Sequence, residues 1–377
     1  MNFDKWRIIK KMRILHIPTG GLFLDGIFSC ISAYATAMDR TNLEIVIIAS
    51  NQPSREIAEQ VKQINCKLII IPYRKVNTRK YITELWQFLR REQFDIVHVH
   101  GSSSIMSIEL ILAKFSGCKV RISHSHNTTC DNKCVDKLLR PIFKYSFTHA
   151  FACGMDAGKW LFGNREFIIQ HNARDLNKYE YREQERLCWR EKLSLTEKCL
   201  VIGHVGRFNY QKNHEYIIRI FKEINKKNPT AHLVLIGTGE YLNNIKDEVN
   251  KFSLSENVHF LGEISNVEKV LSAIDIMILP SRYEGLPVVV IEWQASGLPC
   301  LISDSITDEC IITDLVRKLS IEEMPDVWAD AILHTNLANR VSVKSEVKEK
   351  LQKSGYDIQN GAKKLKQLYQ TFISENY

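Results

Sequence analysis

Residues 281–301 read SRYEGLPVVVIEWQASGLPCL, and this stretch places two carboxylates on either side of a helix start. Pro287 has no N–H and suits the first helical position, so a helix is expected to begin close to Val288. Glu284 then lies in the loop before the helix, and Glu292 lies in its second turn. The free N–H groups of a helix N-terminus attract anions, and carboxylates accept hydrogen bonds from hydroxyl groups. The stretch therefore favours a phosphorylated sugar as ligand over a peptide or a nucleic acid.

The composition is that of an ordinary soluble globular protein. The chain has 377 residues, of which 45% are hydrophobic and 25% charged, and two domains are more natural than one at this length. No run approaches the roughly 18 uninterrupted apolar residues of a membrane span. The N-terminal stretch MNFDKWRIIKKMRIL is basic but continues directly into an apparent strand, unlike a signal peptide. Ten cysteines are scattered singly, as reduced thiols are. A cytoplasmic protein is therefore expected.

Short β-branched runs alternate with amphipathic stretches, a pattern typical of parallel sheets covered by helices on both faces. A polar segment at 173–198 interrupts the alternation. Strands are predicted at 12–18, 43–50, 67–72, 94–100, 119–126, 148–153, 166–172, 199–206, 231–237, 257–262, 275–281 and 298–304. Open α/β sheets bind ligands beyond the carboxyl ends of their strands. The sequence thus predicts an α/β fold of two doubly wound, Rossmann-like domains that face each other across a cleft.

The interruption of the pattern also predicts the domain boundaries. We expect an N-terminal domain over 1–175 and a linker with a short charged helix over 176–198. A second domain follows over 199–356, and a terminal amphipathic helix over 357–377 packs back on the N-terminal domain.

Two cations follow the first predicted strand of the second half. In VGRFNYQKNHEYI, Arg207 comes directly after the strand and Lys212 just before the next helix. Such a pair can hold a diphosphate and neutralise the charge that builds on a departing nucleotide. The alternative interpretation is two solvated surface charges.

Glycines follow strands in both halves. Gly20 and Gly21 lie in the loop after the first strand, and Gly237 and Gly239 bracket a tight turn in LIGTGEYL. Glycine lets a backbone approach a ligand closely, although it equally serves a turn. Neither loop matches the G-x-G-x-x-G dinucleotide fingerprint.

The stretch RISHSHNTTCDNKCVDK carries His124 and His126 near the end of a predicted strand, followed by Cys130 and Cys134. This spacing is compatible with zinc ligation. We favour a histidine at the mouth of the cleft, where neutral imidazole can bind a sugar hydroxyl or help stabilise charge. A merely structural histidine pair remains an alternative. His98 and His100 in DIVHVHG (95–101) also end a predicted strand and could line the same cleft, but we favour packing and turn roles for them.

The segment 74–91 is rich in arginine and lysine, interleaved with aromatic and leucine side chains. A basic helix of this kind could contact an anionic membrane surface. We favour a solvated helix face whose apolar side packs on the core. No zinc-finger spacing or RNA-binding aromatic signature accompanies the charge, so nucleic acid is not expected as a partner.

The motifs EGLPVVVIE and GRFNYQKNH resemble the E-x7-E and R-x4-K signatures of the family-four retaining glycosyltransferases, whose fold is the two-domain GT-B type. Four segments resemble, in the same order along the chain, those of members that work in capsule and exopolysaccharide assembly: DIVHVHG, HSHNT, GRFNYQKN and SRYEGLPVVVIEWQASGLPCLISD. The resemblance covers nearly the whole chain, and it is most specific in the second half.

The resemblance implies roles for four side chains in binding the donor. Arg207 and Lys212 would hold the donor diphosphate. Glu292 would accept hydrogen bonds from the nucleotide ribose, and Glu284 would contact the hydroxyls of the donor hexose in the catalytic centre. The domain over 199–356 would then bind the nucleotide sugar, and the N-terminal domain would lie on the acceptor side.

Further positions match the family around the reacting sugar. The backbone around Gly285, Leu286 and Pro287 would position the phosphate and the transferred sugar. His126 matches the family's cleft histidine, with His124 as the alternative because the alignment is uncertain by a residue or two.

The glycine loops complete the implied site. Gly20 and Gly21 match the loop that approaches donor and acceptor, and Gly237 would border the donor. Two departures weaken the match. The first loop continues as LFLDG where many members carry a glutamate, and Ala173 replaces the glycine of the family's interdomain N-G-[IV]-D segment.

The family chemistry retains the anomeric configuration through a front-face substitution, in which the leaving phosphate takes the proton of the acceptor. No metal or other cofactor is expected, because the basic pair can stabilise the leaving group. The expected partners are a nucleotide-sugar donor, UDP-linked by this resemblance, and a growing, lipid-linked glycan. The protein would then work at the inner face of the cell membrane.

Two rival functions remain open. An isomerase of the UDP-N-acetylglucosamine 2-epimerase type shares the fold and the substrate class but needs no acceptor. A nucleotide-sugar-binding partner without catalytic activity would use many of the same residues.

Overall fold

The computed structural model describes residues 11–337 and 339–376, which fall into two compact units. Unit 1 contains the described residues up to Arg174 together with those from Asp357 onwards, and unit 2 runs from Asp175 to Tyr356. Residues 1–10, which bear on the expectation about a signal peptide, lie outside the described residues. No helix within the described ranges is long and apolar enough to cross a membrane.

Unit 1 alternates strands and helices along most of its length. Its elements are β1 (Met12–Pro18), α1 (Gly26–Ala37), β2 (Leu43–Ala49), α2 (Arg55–Gln63), β3 (Lys67–Ile70), α3 (Thr78–Glu92), β4 (Ile96–Gly101), a 3-10 turn (Ser104–Met106), α4 (Ser107–Phe115), β5 (Val120–Ser125), α5 (Lys133–Phe143), β6 (His149–Ala152), α6 (Met155–Phe162), β7 (Ile168–Ile169) and, after unit 2, the helix Ile358–Ser374.

The sheet of unit 1 is parallel and doubly wound. Its strand order is β3-β2-β1-β4-β5-β6-β7, and the direction of growth changes between β1 and β4. Separate apolar cores cover the two faces, so the strands are hydrophobic on both sides. The helix Ile358–Ser374 packs on α1 and contributes Tyr369, which is fully buried.

Unit 2 repeats the architecture with shorter elements. They are α7 (Leu176–Tyr179), α8 (Glu183–Lys192), β8 (Val201–Val205), α9 (His214–Lys227), β9 (His232–Ile236), α10 (Leu242–Lys251), β10 (Val258–Gly262), α11 (Val267–Val270), a 3-10 turn (Leu271–Ala273), β11 (Ile276–Leu279), α12 (Val288–Ala295), β12 (Cys300–Ser303), a 3-10 turn (Asp308–Cys310), β13 (Val316–Leu319), α13 (Pro325–Leu333) and α14 (Arg340–Lys353). The helix of unit 1 at Ile358–Ser374 is therefore α15.

The sheet of unit 2 is also parallel, in the order β10-β9-β8-β11-β12-β13. The predicted α/β class with two doubly wound sheets is confirmed. The sequence prediction missed β13, because VRKL at an edge of the sheet has two charged residues between its apolar ends instead of a continuous apolar run.

The polar segment 176–198, expected to be a linker with a short helix, packs within unit 2 as α7 and α8. Arg190 is 1% exposed, yet its guanidinium lies 2.7 Å from a carboxylate oxygen of Asp275 and donates to the carbonyl of Thr196 at 2.7 Å. A charged side chain can be buried when it is paired and hydrogen-bonded in this way. The charged residues of this segment therefore include a buried, paired one that packs the expected short helix within unit 2.

Candidate functional site

The loops after β8 and β9 lie against each other in unit 2. A Cβ on Gly237 would lie 2.2 Å from the carbonyl oxygen of Gly206, and one on Gly239 would lie 2.3 Å from that of Phe208. Gly237 also has a φ of +134°, and the amide of Phe208 donates to the carbonyl of Thr238 at 2.9 Å. The glycines of this turn are therefore required by the close approach of the loop that carries Arg207.

Lys212 and Glu284 form an ion pair that joins two of the predicted motifs. The Lys212 Nζ lies 2.6 Å from Glu284 Oε1, and the side chains are only 15% and 8% exposed. Gln211 Nε2 donates to Glu284 Oε2 at 3.1 Å and to the carbonyl of Tyr283 at 3.0 Å. An ammonium group has three N–H donors, so Lys212 can hold this carboxylate and still donate to a second anion.

Arg282 fastens the two loops that carry this pair. Its amide donates to the carbonyl of Gln211 at 2.9 Å, and its guanidinium donates to Asn213 Oδ1 at 2.9 Å and stacks over the Tyr210 ring at 4.4 Å. Asn213 has a left-handed φ of 55° and donates to the carbonyl of Pro280 at 3.2 Å. Sequence reasoning missed Gln211, Arg282 and Asn213. They lie inside the quoted motifs, and their polar character was the only signal available.

The helix after Glu284 begins where the sequence indicated. α12 starts at Val288, and Glu292 is half-buried in its second turn. Pro287 occupies the N-cap with ψ of 95° and so precedes the first helical position, one residue earlier than predicted. The expectation placed it too far into the helix because a proline fits both positions. No side chain in the described part of the chain caps this helix, and the amide of Val290 donates to the carbonyl of Pro287 at 3.1 Å. The amides before it, those of Val288 and Val289, can therefore bind an anion.

Arg207 lies in a different environment from Lys212. Its side chain is 72% exposed, and its nearest carboxylate belongs to Glu240, at 3.4 Å. An exposed pair of this kind is weak and leaves the guanidinium free to exchange partners. Within the described residues, Arg207 and Lys212 pair with different carboxylates. No shared carboxylate therefore joins the two predicted cations.

Two buried histidines lie beneath the Lys212 loop. His204 Nδ1 is 2.9 Å from the carbonyl of Ile278 and therefore carries the proton, which leaves Nε2 as the lone-pair nitrogen. A Cβ on Gly206 would lie 2.9 Å from this Nε2 and 3.1 Å from Lys212 Cδ. Burial lowers the pKa of His204 to about 3, and it also lowers the pKa of neighbouring His214. The imidazoles of His204 and His214 are therefore uncharged at neutral pH, and they lie beneath the charged side chain of Lys212.

Five histidines form a cluster on one face of the unit 1 sheet: His16 on β1, His98 and His100 on β4, and His124 and His126 at the end of β5. His16 is in register with His98, and His100 is in register with His124. Neighbouring rings lie with centroids 4.1 to 5.2 Å apart. This histidine cluster extends the apolar core towards the carboxyl edge of the sheet.

Hydrogen bonds run through the histidine cluster in two chains. His16 Nδ1 lies 2.8 Å from His100 Nε2, and His100 Nδ1 lies 2.9 Å from His126 Nε2. In the second chain, His98 bridges the Tyr369 hydroxyl at 2.8 Å and His124 Nδ1 at 3.1 Å. Burial lowers the pKa of all five imidazoles, to about 3 for His16 and His126. The rings are therefore neutral at physiological pH, and each bond joins one donor to one lone pair.

Each chain of hydrogen bonds ends at a nitrogen that has no partner among the described residues. These are His126 Nδ1 and His124 Nε2. His124 is fully buried, whereas His126 lies past the end of β5 and is partly exposed. His126 is thus the better placed of the two to meet a ligand. His98 and His100 do more than pack, because they hydrogen-bond to His124 and His126 and so orient those two rings.

The alternative zinc interpretation combined His124 and His126 with Cys130 and Cys134. In the described ranges, groups of potential ligands at metal-binding distance contain histidines only, and they draw on His100 instead of the cysteines. The hydrogen bonds among the imidazoles already explain why these rings are together. The H-x-H and C-x3-C combination of this alternative is therefore not assembled among the described residues.

The glycine loop of unit 1 follows β1. Gly21 has a φ of 100°, and a Cβ there would lie 2.9 Å from Asn51 Oδ1, which accepts from the amide of Leu22 at 2.6 Å. Gly20 has open space where a Cβ would project. Asp25, which stands in the LFLDG departure from the family pattern, caps α1 by accepting from the amides of Ile27 and Phe28. Its carboxylate therefore has a structural role.

Comparisons with known proteins agree with this architecture. Residues 185–353 match the family described as glycosyl transferases group 1, and residues 24–153 match glycosyltransferase family 4. Over 371 residues the chain is 30% identical to EpsF of Bacillus subtilis (strain 168), a protein named as a glycosyltransferase, with 95% of this chain and 96% of that one covered.

A second relative and a solved structure extend the comparison. Over 310 residues the chain is 25% identical to the Escherichia coli UDP-Gal:alpha-D-GlcNAc-diphosphoundecaprenol alpha-1,3-galactosyltransferase, covering 78% of this chain and 80% of that one. Anabaena HepE, crystallised with UDP, superposes with a TM-score of 0.72 at 14% identity over 97% of this chain and 98% of its own. The last likeness concerns the fold alone.

The two doubly wound parallel sheets and these matches define a glycosyltransferase of the GT-B fold class. The chain belongs to glycosyltransferase family 4.

Proposed function

We propose that this glycosyltransferase is a retaining, metal-independent hexosyltransferase that moves a sugar from a UDP-linked donor to a growing, lipid-linked glycan in capsule or exopolysaccharide assembly. The observation that carries the proposal is the shielded Lys212–Glu284 pair beside the uncapped start of α12. It places a cation with spare donors, a fixed carboxylate and free helix amides in one group of loops.

The donor assignment follows from this chemistry. A diphosphate needs several donors, and Lys212 together with the first amides of α12 supplies them without a metal ion. Glu284 is held by Lys212 and Gln211, so its oxygens are fixed in place to accept hydrogen bonds from hexose hydroxyls. Glu292 is assigned to the ribose, and Arg207 provides an exposed guanidinium that can move onto phosphate. The backbone of Gly285 and Leu286 borders the same loop.

The choice of uridine and of a lipid-linked acceptor rests on the relatives. The E. coli relative is named for a UDP-galactose donor and a diphosphoundecaprenol acceptor, and HepE has been crystallised with UDP and with UDP-glucose. The likeness to EpsF supports exopolysaccharide assembly as the setting. A cytoplasmic position at the inner face of the membrane follows from this choice of donor and acceptor.

Unit 1 is proposed to contribute His126, Gly20 and Gly21. The Nδ1 of His126 is shielded from solvent and has no partner among the described residues, so a sugar hydroxyl that reaches it would satisfy a buried nitrogen. The ring is fixed through His100 and His16. The low pKa keeps this imidazole neutral, so it orients the sugar and is not charged in the resting state. The leaving phosphate is then the base that takes the proton of the acceptor.

Incubating the purified protein with UDP-glucose, UDP-galactose and their N-acetylated forms, with and without a lipid-linked acceptor extract, tests the proposal. Acceptor-dependent release of UDP supports transfer, and the α-anomer in the product supports retention. An epimerised UDP-sugar without release of UDP would identify an isomerase. Tight binding with neither result would identify a binding partner without catalytic activity.

A further inference from the structure

The outward face of α5 in unit 1 is apolar. Leu138 and Ile142 are 75% and 51% exposed and lie four residues apart on one side of the helix. Tyr145, which is 75% exposed, continues this stripe in the turn that directly follows α5. Helices at a protein surface ordinarily turn charged residues outward and apolar ones towards the core. The inward side of α5 is already occupied by Phe143, which is 3% exposed. The stripe therefore lies on a different side of the helix from the core-facing residues, and the described residues of unit 1 leave it exposed.

A row of lysines runs beside this stripe. Lys133, Lys137 and Lys144 follow one another at four and seven residues, and all are exposed. None of them has a carboxylate at ion-pair distance within the described ranges. The acid of this helix, Asp136, is buried and pairs with Arg140. The exposed face thus combines an apolar stripe with unpaired positive charge, as in helices that lie in a membrane interface.

A cavity of about 600 Å³ adjoins the lysine row. Four cations line it, Lys137, Arg140, Lys144 and Arg165, and no carboxylate is among its lining residues. Phe147 and other apolar side chains complete the wall. Arg140 is neutralised by Asp136, which leaves three cations for a ligand. This lining suits a group with a phosphate head and an attached hydrocarbon chain.

Helix α3, on which the sequence suggested a membrane contact, has a different surface. Its Tyr81, Leu85, Phe88 and Leu89 are buried in unit 1. Trp86 is 38% exposed, and the guanidinium of Arg90 lies over its ring at 5.1 Å. The outward side of α3 therefore carries charge but presents no apolar stripe, and α5 is the stronger candidate.

We propose that α5 docks the protein on anionic phospholipid membranes, with Leu138, Ile142 and Tyr145 entering the interface and the lysine row contacting lipid phosphates. The adjoining cavity receives one lipid headgroup phosphate. Docking of this kind would deliver the protein to the lipid-linked acceptor of the proposed function. It does not require catalysis, so vesicle binding and sugar transfer can fail separately.

Flotation of the full-length protein with vesicles tests the proposal. We expect binding to vesicles that contain phosphatidylglycerol, little binding to phosphatidylcholine alone, and weaker binding as salt is raised. The variant K133Q/K137Q/K144Q should partition on the order of 100-fold less strongly, because each lysine near an anionic surface contributes about 1 kcal/mol. The variant L138S/I142S/Y145S should also bind less strongly, although its charge is unchanged.

A matched control removes the same charge elsewhere. The α3 variant R79Q/R90Q/R91Q should float as the wild type does. Equal loss in this control and in the α5 lysine variant would show a general charge effect and overturn the proposal. Wild-type flotation by either α5 variant would also overturn it.

Two further measurements distinguish a membrane from other binding partners at the exposed face of α5. Binding of inorganic phosphate without any flotation would make the cavity a free-anion site and exclude docking. Sedimentation that shows a dimer, converted to a monomer by L138S/I142S/Y145S, together with no vesicle binding, would assign the face to a second copy of the chain. Flotation of a wild-type protein that remains monomeric supports the membrane.

Discussion

At the scale of single residues, the pair formed by Lys212 and Glu284 links the two motifs to which we assign the proposed donor site. Their side chains are mostly shielded, and both oxygens of Glu284 are engaged. Neither side chain is then free to act as a general base in the resting state. We therefore assign binding and charge stabilisation to this pair, and proton transfer to the leaving phosphate of the donor.

The pair should also contribute to the stability of unit 2. Replacing Lys212 with Met leaves the Glu284 charge uncompensated. It should lower the free energy of unfolding by about 2–3 kcal/mol, less than the roughly 3–5 kcal/mol of a fully buried pair, because some solvent reaches both side chains. Chemical denaturation of K212M measures this loss. The double variant K212M/E284Q should recover most of the stability while transfer stays absent. Recovery of transfer in that variant would contradict the assigned role.

At Gly237, we expect that no side chain is tolerated. The variant G237A brings a Cβ to 2.2 Å from the carbonyl oxygen of Gly206 at a φ of +134°. We expect the loop that carries Arg207 to shift, with a loss of more than about 1 kcal/mol in stability and weaker donor binding. Gly117, with a φ of +88° and no described atom within 4 Å of its Cβ position, is the matched control in unit 1. G117A should show the backbone cost without the loss of donor binding.

At the scale of elements, strands β1, β4 and β5 bring the histidine cluster together and make unit 1 sensitive to acid. Above pH 6.5 the rings are neutral in both the folded and the unfolded chain, so they leave stability unchanged. Below 6.5 the unfolded imidazoles take up protons that the folded ones, with pKa values lowered to about 3 for His16 and His126, do not. Stability should therefore fall by about 1.4 kcal/mol per pH unit for each such histidine, down to pH about 3.

Urea denaturation across this pH window checks the effect. The variant H16F should show a shallower dependence of stability on pH, reduced by the share of one histidine. His334 lies outside the cluster and is not buried, so H334N should retain the wild-type slope. An unchanged slope in H16F would mean that the imidazole of His16 is already charged when folded.

The elements were largely predictable because apolar runs of β-branched residues reflect burial on both faces of a sheet. β1 was predicted to the residue, whereas β13 was missed because an edge strand needs no such run. The short charged helix at 176–198 was predicted, but its packing in unit 2 was not, because the pairing of Arg190 with Asp275 joins residues 85 apart in sequence. Periodicity carries no information about such distant partners.

At the scale of the whole molecule, the motifs led to a prediction of donor-binding residues, which stays a prediction, but they gave no information about the contacts among those residues. Glu284, Glu292 and Lys212 were identified from spacing and resemblance, yet the ion pair between Lys212 and Glu284 depends on loops that close only in the folded chain. The histidine cluster likewise forms from three strands that are separated in sequence. The H-x-H spacings within β4 and at the end of β5 did not show that these histidines lie together or that His16 joins them. The α5 stripe was not singled out, because a helical apolar pattern does not say which side meets the core.

Titration of the intact protein with UDP tests the central claim, that unit 2 binds a nucleotide diphosphate through Lys212, the α12 start and Glu292. The wild type should bind UDP without added metal ions. E292A should bind it on the order of 10- to 100-fold more weakly, since a hydrogen bond to a charged group contributes about 1.5–3 kcal/mol. The exposed Glu256 is the control, and E256A should match the wild type. Equal affinity in E292A and the wild type, or no binding of UDP at all, would contradict the account.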